Sequence, residues 1–291
     1  MASGSSVKYN SQAKFQVSTR EVVYRQDGGQ NWTATVYQPQ GQGPFPALVD
    51  VHGGAWNGGA RSNDRVMNHA LAASGLVVLA IDFRLAPDHP YPAQIQDVNY
   101  ATRWLKAHAA EFNAAADAVG GIGSSSGGHT LMMSALRPQD PRYAALPLAE
   151  ARGLDASLNY LLCCWPVLDP YARYLYAQEA GRERLAASSE AYFLNVETMQ
   201  EGSAQHLLER GGATELPPTL IIQGTSDDNV PLSIPERFVT AYRKAGGKVE
   251  LEFFPDQVHG FGNTAGPESD RAIALMKGFV ARQLSAAGAA V

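Results

Sequence analysis

Six short apolar runs punctuate this chain, most of them separated by longer stretches with helical spacing. They are ALVDV (47–51), LVVLAID (76–82), AVGGIGS (118–124), LNYLLCCW (158–165), TLIIQG (219–224) and KVELEFF (248–254). Several are almost uninterrupted in apolar character. A strand with one wet face alternates polar and apolar residues, so continuous runs mark strands covered on both faces, as in parallel sheets. The intervening helical patterns fall at about 64–74, 93–112, 127–136, 233–246 and 268–285. Strand–helix alternation of this kind implies mostly parallel pairing with right-handed crossovers. Ahead of it, 17–26 and 32–37 alternate like an antiparallel pair joined through the turn signal Asp27-Gly28-Gly29. The expected architecture is α/β: a mostly parallel eight-stranded sheet with helices on both faces.

One segment breaks the rhythm. Residues 166–217 are rich in Ala, Glu, Arg, Tyr and Leu but hold no convincing strand, which reads as a helical, lid-like insertion after strand six. Its place is near the carboxyl ends of the strands, where open α/β sheets bind ligands. Residues 1–14 read as a disordered or tag-like N-terminus, and 15–291 as one domain. A length of 291 residues is within the range of single α/β units, and 45% hydrophobic with 18% charged residues is the balance of an ordinary globule.

The formal net charge is −5 and no block of five like charges occurs, which argues against a nucleic-acid partner. No run of eighteen apolar residues exists, so no membrane span is expected. The leader MASGSSVKYNSQAKF lacks the apolar centre of a secretory signal. Cys163 and Cys164 are adjacent in an apolar run, a spacing that strains a disulfide, so they read as a buried pair of small apolar side chains. A cytoplasmic location fits these features, and a homodimer is compatible with them.

Chemistry enters at Gly123-Ser124-Ser125-Ser126-Gly127. The pattern G-x-S-x-G here follows an apolar strand and opens a helix, the context that the motif needs. A nucleophile on so tight a turn leaves no room for side chains two residues away on either side. The helix starting at Ser126 aims N–H groups and its positive dipole end at the hydroxyl. Only Ser125 of the serine triplet has glycines at both −2 and +2, so it takes the nucleophile's role. His52-Gly53-Gly54-Ala55-Trp56 follows the third strand directly. A glycine-rich loop can present bare N–H groups to a developing oxyanion, so Gly54 and Ala55 are assigned as donors, with Ser126 from the elbow. His52 is read as bracing that loop, and His129, four residues past Ser125, as helix packing.

A serine needs a histidine base, itself oriented by a carboxylate. Of the seven histidines, His259 lies on a loop just beyond the last strand, from which it can reach the elbow. For the acid, TLIIQG runs into Thr225-Ser226-Asp227-Asp228, and either aspartate could serve. The order serine, aspartate, histidine is that expected for this motif. No metal-ligand spacing, P-loop or dinucleotide fingerprint accompanies any strand, so neither metal nor cofactor is expected.

Together HGGAW, IDFRLAPDHPYPA (81–93), GSSSGG and VHGF resemble the hormone-sensitive-lipase-like and acetyl-esterase branch of the α/β-hydrolases, with kynurenine formamidase-like and feruloyl-esterase-like relatives. The resemblance runs from about residue 15 to 285. It implies an α/β-hydrolase fold and a serine carboxylic-ester hydrolase acting on small to medium esters through an acyl-enzyme. An arylformamidase-type amide hydrolase is the alternative; a peptidase and a non-catalytic small-molecule receptor stand further off. The D-x-x-V-P pattern of the family puts the acid at Asp227. Ser124 and Ala55 depart from the family, which often has an acidic residue and a third glycine there, but neither change removes a backbone donor. The insertion, with Trp56 and Phe261, is then expected to wall the substrate pocket, while Trp165, Tyr171 and Tyr192 read as core.

Overall fold

The computed structural model describes residues 7 and 9–288. One eight-stranded sheet organises them: β1 (Val17–Asp27), β2 (Gln30–Pro39), β3 (Phe45–Val51), β4 (Val77–Ile81), β5 (Ala114–Ser124), β6 (Leu161–Cys164), β7 (Thr219–Gly224) and β8 (Val249–Phe254). Their spatial order is β1-β2-β4-β3-β5-β6-β7-β8. β1 and β2 form the expected antiparallel hairpin. Its turn puts Gly28 and Gly29 at φ of 55° and 86°, a left-handed pair that residues with a Cβ resist. β2 also runs antiparallel to β4, and every later pairing is parallel. Every residue of β3, β4, β6 and β7 is buried, as their continuous apolar character requires.

Helices α1 (Arg65–Ala73), α2 (Ala93–Ala107), α3 (Ser126–Leu136), α8 (Ser233–Lys244) and α9 (Pro267–Gly288) cover the two faces. The sheet thus separates two apolar clusters, one containing Val49, Ile95, Leu131 and Phe238, the other Leu48, Leu71, Ile222 and Met276. The pattern expected to be helical over 93–112 divides: α2 stops at Ala107, a 3-10 turn follows, and Asn113, at φ 56°, turns the chain into β5. β6 is shorter than the run 158–165, because only Leu161–Cys164 stand in register with both β5 and β7.

The insertion folds as α4 (Pro170–Glu179), α5 (Glu183–Phe193), α6 (Val196–Glu201) and α7 (Ala204–Glu209). Residues 1–6 and 8 of the leader lie outside the described residues. The described part is less loose than expected: the Tyr9 hydroxyl meets Ser74 Oγ at 2.8 Å, and Phe15 N–H donates to Ala73 O. Cys163 and Cys164 are free and buried, and burial pushes the Cys163 thiol up to about 12, so neither is a thiolate at neutral pH. Among the described residues no helix is long and apolar enough to cross a membrane.

Candidate active site

β5 ends at Ser124 and α3 begins at Ser126, leaving Ser125 alone between strand and helix at φ 51° and ψ −120°. This left-handed conformation is costly for a residue with a Cβ and persists only where neighbours over-determine it. They do. Ser125 N–H donates to Cys164 O on β6 at 2.9 Å, and Ser125 O accepts from Val167 N at 3.1 Å. A Cβ on Gly127 would sit 2.0 Å from Val51 O, and one on Gly123 2.9 Å from Gly127 O. Both glycines are therefore steric requirements of the elbow.

His259 lies beyond β8, after Asp256 at φ 59°, and reaches back over the elbow. Its Nε2 is 2.9 Å from Ser125 Oγ, and its Nδ1 is 2.7 Å from Asp227 Oδ2. Asp227 Oδ1 accepts from Asn229 N and Val230 N at 2.8 and 2.9 Å, and Gln223 Nε2 donates to Oδ2. Burial by itself raises this carboxyl. The hydrogen bond and charge of His259, with the two loop N–H groups, outweigh it and hold the pKa below the ordinary carboxylate value. The neighbouring Asp228 turns outward, where Arg182 pairs with it at 2.7 Å.

The loop after β3 approaches Ser125 from the other side. Gly54 has φ 135°, and Ala55 and Trp56 take left-handed φ of 51° and 64°. Within the described residues the N–H groups of Gly54, Ala55 and Ser126 meet no acceptor, whereas Gly53 N–H donates to Ser124 Oγ and Trp56 N–H to Ser126 Oγ. His52 braces the loop as expected: its Nδ1 bonds Gly53 O at 2.7 Å and its ring stacks on Phe83.

Two supports were not read from the sequence. Ser124 Oγ, holding Gly53 N–H at 3.0 Å, itself donates to Asp64 Oδ2 at 2.7 Å. The Asp64 carboxyl neighbours that of Asp50, to whose Oδ2 Asn68 Nδ2 donates at 2.6 Å. Burial drives both acids up, Asp64 to about 6. The second support is Arg173 of α4, which is fully buried. It donates to Asn229 Oδ1, Ser189 Oγ and Leu185 O, and its guanidinium carbon lies 5.1 Å from the centre of the Trp56 ring. Burial pulls its pKa down to about 10, still far above neutrality, so a cation sits where the insertion meets both loops. An arginine in a helical stretch carries no motif, and that is why it was not legible.

Above Ser125 opens a cleft of about 550 Å³. The two expected aromatic walls are displaced from it. Trp56, 1% exposed, is held in the core by stacking on Tyr192 and by donating Nε1–H to His129 Nδ1. His129 in turn donates Nε2–H to Gly202 O, and burial lowers its pKa to about 4, which keeps it a neutral packing residue. Phe261 packs between Trp165 and Phe254 instead of lining the cleft. Trp165, read as core, is core, 1% exposed, and also borders the cleft, 6.4 Å from the His259 ring centre. The insertion contributes Arg184, Leu185 and Ser188 of α5.

Known proteins share this frame. Esterase LipC of Mycobacterium tuberculosis is 31% identical over 276 residues, 89% of this chain and 64% of that protein. Carboxylesterase NlhH of the same species is 30% identical over 87% of this chain and 77% of its own length. Probable carboxylic ester hydrolase LipM is 28% identical, but the match spans 46% of it, so the chain covers less than two thirds of LipC and LipM alike. Among solved structures, the propionate-bound esterase Est2 of Thermogutta terrifontis superposes with a TM-score of 0.72 at 24% identity, covering 92% of this chain and 94% of that one. A family model described as alpha/beta hydrolase fold matches residues 48–263, from β3 past His259, and with that match the chain belongs to the α/β-hydrolase family.

Proposed function

We propose that the protein is a serine carboxylic-ester hydrolase acting on small to medium esters. The observation that carries this reading is the continuous relay Ser125 Oγ, His259 Nε2, His259 Nδ1, Asp227 Oδ2, with separations of 2.9 and 2.7 Å, beneath an open cleft. Its similarity to carboxylesterase NlhH and esterase LipC supports an ester over an amide bond.

Ser125 Oγ attacks the ester carbonyl while His259 Nε2 takes its proton. Asp227 holds the Nδ1–H tautomer and stabilises the imidazolium that forms. The carbonyl oxygen, now an oxyanion, is met by the N–H groups of Gly54, Ala55 and Ser126 at the N-terminus of α3. Collapse expels the alcohol, which receives the proton from His259, and leaves an acyl group on Ser125. Water then attacks, deprotonated by the same imidazole, and the acid is released with Ser125 regenerated. No metal or redox group is needed for any of these steps.

The test is turnover of p-nitrophenyl acetate by the wild type and Ser125→Ala, with N-formylkynurenine as the amide comparison. Ser125→Ala is expected to keep its melting temperature and lose at least about ten-thousandfold in kcat/KM. A variant retaining most of its esterase activity would overturn the reading. Faster turnover of N-formylkynurenine than of any simple ester would move it to the amide side. The reading also puts the protein in the cytoplasm, in keeping with two free thiols.

A further inference from the structure

The cleft is polar where an aliphatic acyl chain would need grease. Asn57 and Asn63 face it from the loop after β3, Asn229 from the acid loop, and Ser188 and Arg184 from α5; Leu185 and Trp165 are the large apolar side chains among its lining. Arg184 differs from the arginines near it. Arg173 is bonded on both amino groups, and Arg182 is paired with Asp228. Arg184, among the described residues, has no ion-pair partner, and the hydrogen bond at that residue goes to its backbone carbonyl. Arg184 also borders an adjoining groove with Glu183 and Asp228, but neither of those carboxylates lines the cleft over Ser125. The cleft is therefore bordered by a guanidinium without an ion-pair partner, close to the side-chain amides of Asn57, Asn63 and Asn229 that can complete a hydrogen-bonded anion site.

Resting on the esterase reading, we propose that Arg184 is a recognition subsite for a carboxylate. The preferred substrate is then an ester one half of which is a free acid. The planar fork of the guanidinium matches a carboxylate in two parallel hydrogen bonds, which a neutral amide of the same shape cannot replace. Because Arg184 lies at the exposed rim, the gain is modest and salt-sensitive.

Two isosteric pairs test this. One carries the charge on the alcohol side, para-acetoxybenzoate against para-acetoxybenzamide; the other carries it on the acyl side, monomethyl adipate against the methyl ester of adipic monoamide. Hydrolysis is followed chromatographically. Wild type is expected to favour the acid member of at least one pair by about fivefold in kcat/KM, the scale of an exposed ion pair. Molar salt should bring that ratio towards one. Arg184→Gln should abolish the preference, Arg184→Glu should reverse it, and Arg182→Gln should keep it. No preference in either pair, or a preference that survives in Arg184→Gln, overturns the subsite. A different result, in which wild type and Ser125→Ala hydrolyse all four esters at the same negligible rate, overturns the esterase reading and the subsite with it.

Discussion

Ser125 and Ser188 face the same cleft from different scaffolds. Ser125 hangs on a turn whose backbone has almost no freedom, locked by β6, by the chain after it and by the close approach of Gly127 to β3. Ser188 sits on α5, whose buried side docks through Arg173 and the Trp56–Tyr192–Phe193 stack, and whose other side is wet. In the floor, position is set by steric exclusion among neighbours on the central strands. In the wall, it is set by a few polar and aromatic contacts between distant segments. The floor can keep its chemistry while the wall is rebuilt for another substrate, so long as the contacts joining the two survive.

That contrast can be broken at three depths. The deepest cut is in the floor. Asp227→Asn preserves shape but cannot hold the correct histidine tautomer or stabilise the imidazolium, so kcat should fall about ten-thousandfold. Asp228→Asn, which loses only an exposed pair with Arg182, should stay within about twofold in the same ester assay. Comparable losses in both would mean that the two aspartates share the task.

The junction comes next. Arg173→Met removes a buried cation that bonds Asn229, itself bonded to Asp227. We expect kcat to fall about tenfold with KM little changed, from loosening of the acid loop. A drop in melting temperature with kcat unchanged would make Arg173 a packing residue only.

The smallest effect lies under the loop after β3. Asp64 has a folded pKa of about 6, above its unfolded value, so between about pH 4 and pH 6 the folded state binds more protons than the unfolded one. Stability must then fall as pH rises through that window. Asp64→Asn should flatten this slope by an amount on the order of 2 kcal/mol, seen as melting curves that converge with wild type at low pH and exceed it near neutrality. Parallel curves would mean that Asp64 does not take up a proton in the folded state across that window.

The floor was legible in the sequence because its constraints are local. Gly123 and Gly127 flank one serine at fixed offsets, continuous apolar runs announce buried strands, and His259 and Asp227 follow strands in an order that the topology brings together. Trp56 and Phe261 were misplaced for the opposite reason. An aromatic beside a catalytic motif looks like a pocket wall, but its direction depends on what α5 brings to it. Tyr192 draws Trp56 into the core, and Trp165 and Phe254 enclose Phe261. Arg173, Asp64 and Asp50 were invisible because each acts through a partner at least fourteen residues away that no spacing rule names.

The paired thiols of β6 lie on the strand that accepts the N–H of Ser125 and are sealed on both faces of the sheet. A thiol reagent can reach them only when the sheet itself parts. Their rate of alkylation therefore clocks the opening of the strand that props the elbow, and a ligand that seats in the cleft and tightens this region should slow that clock without touching either sulfur.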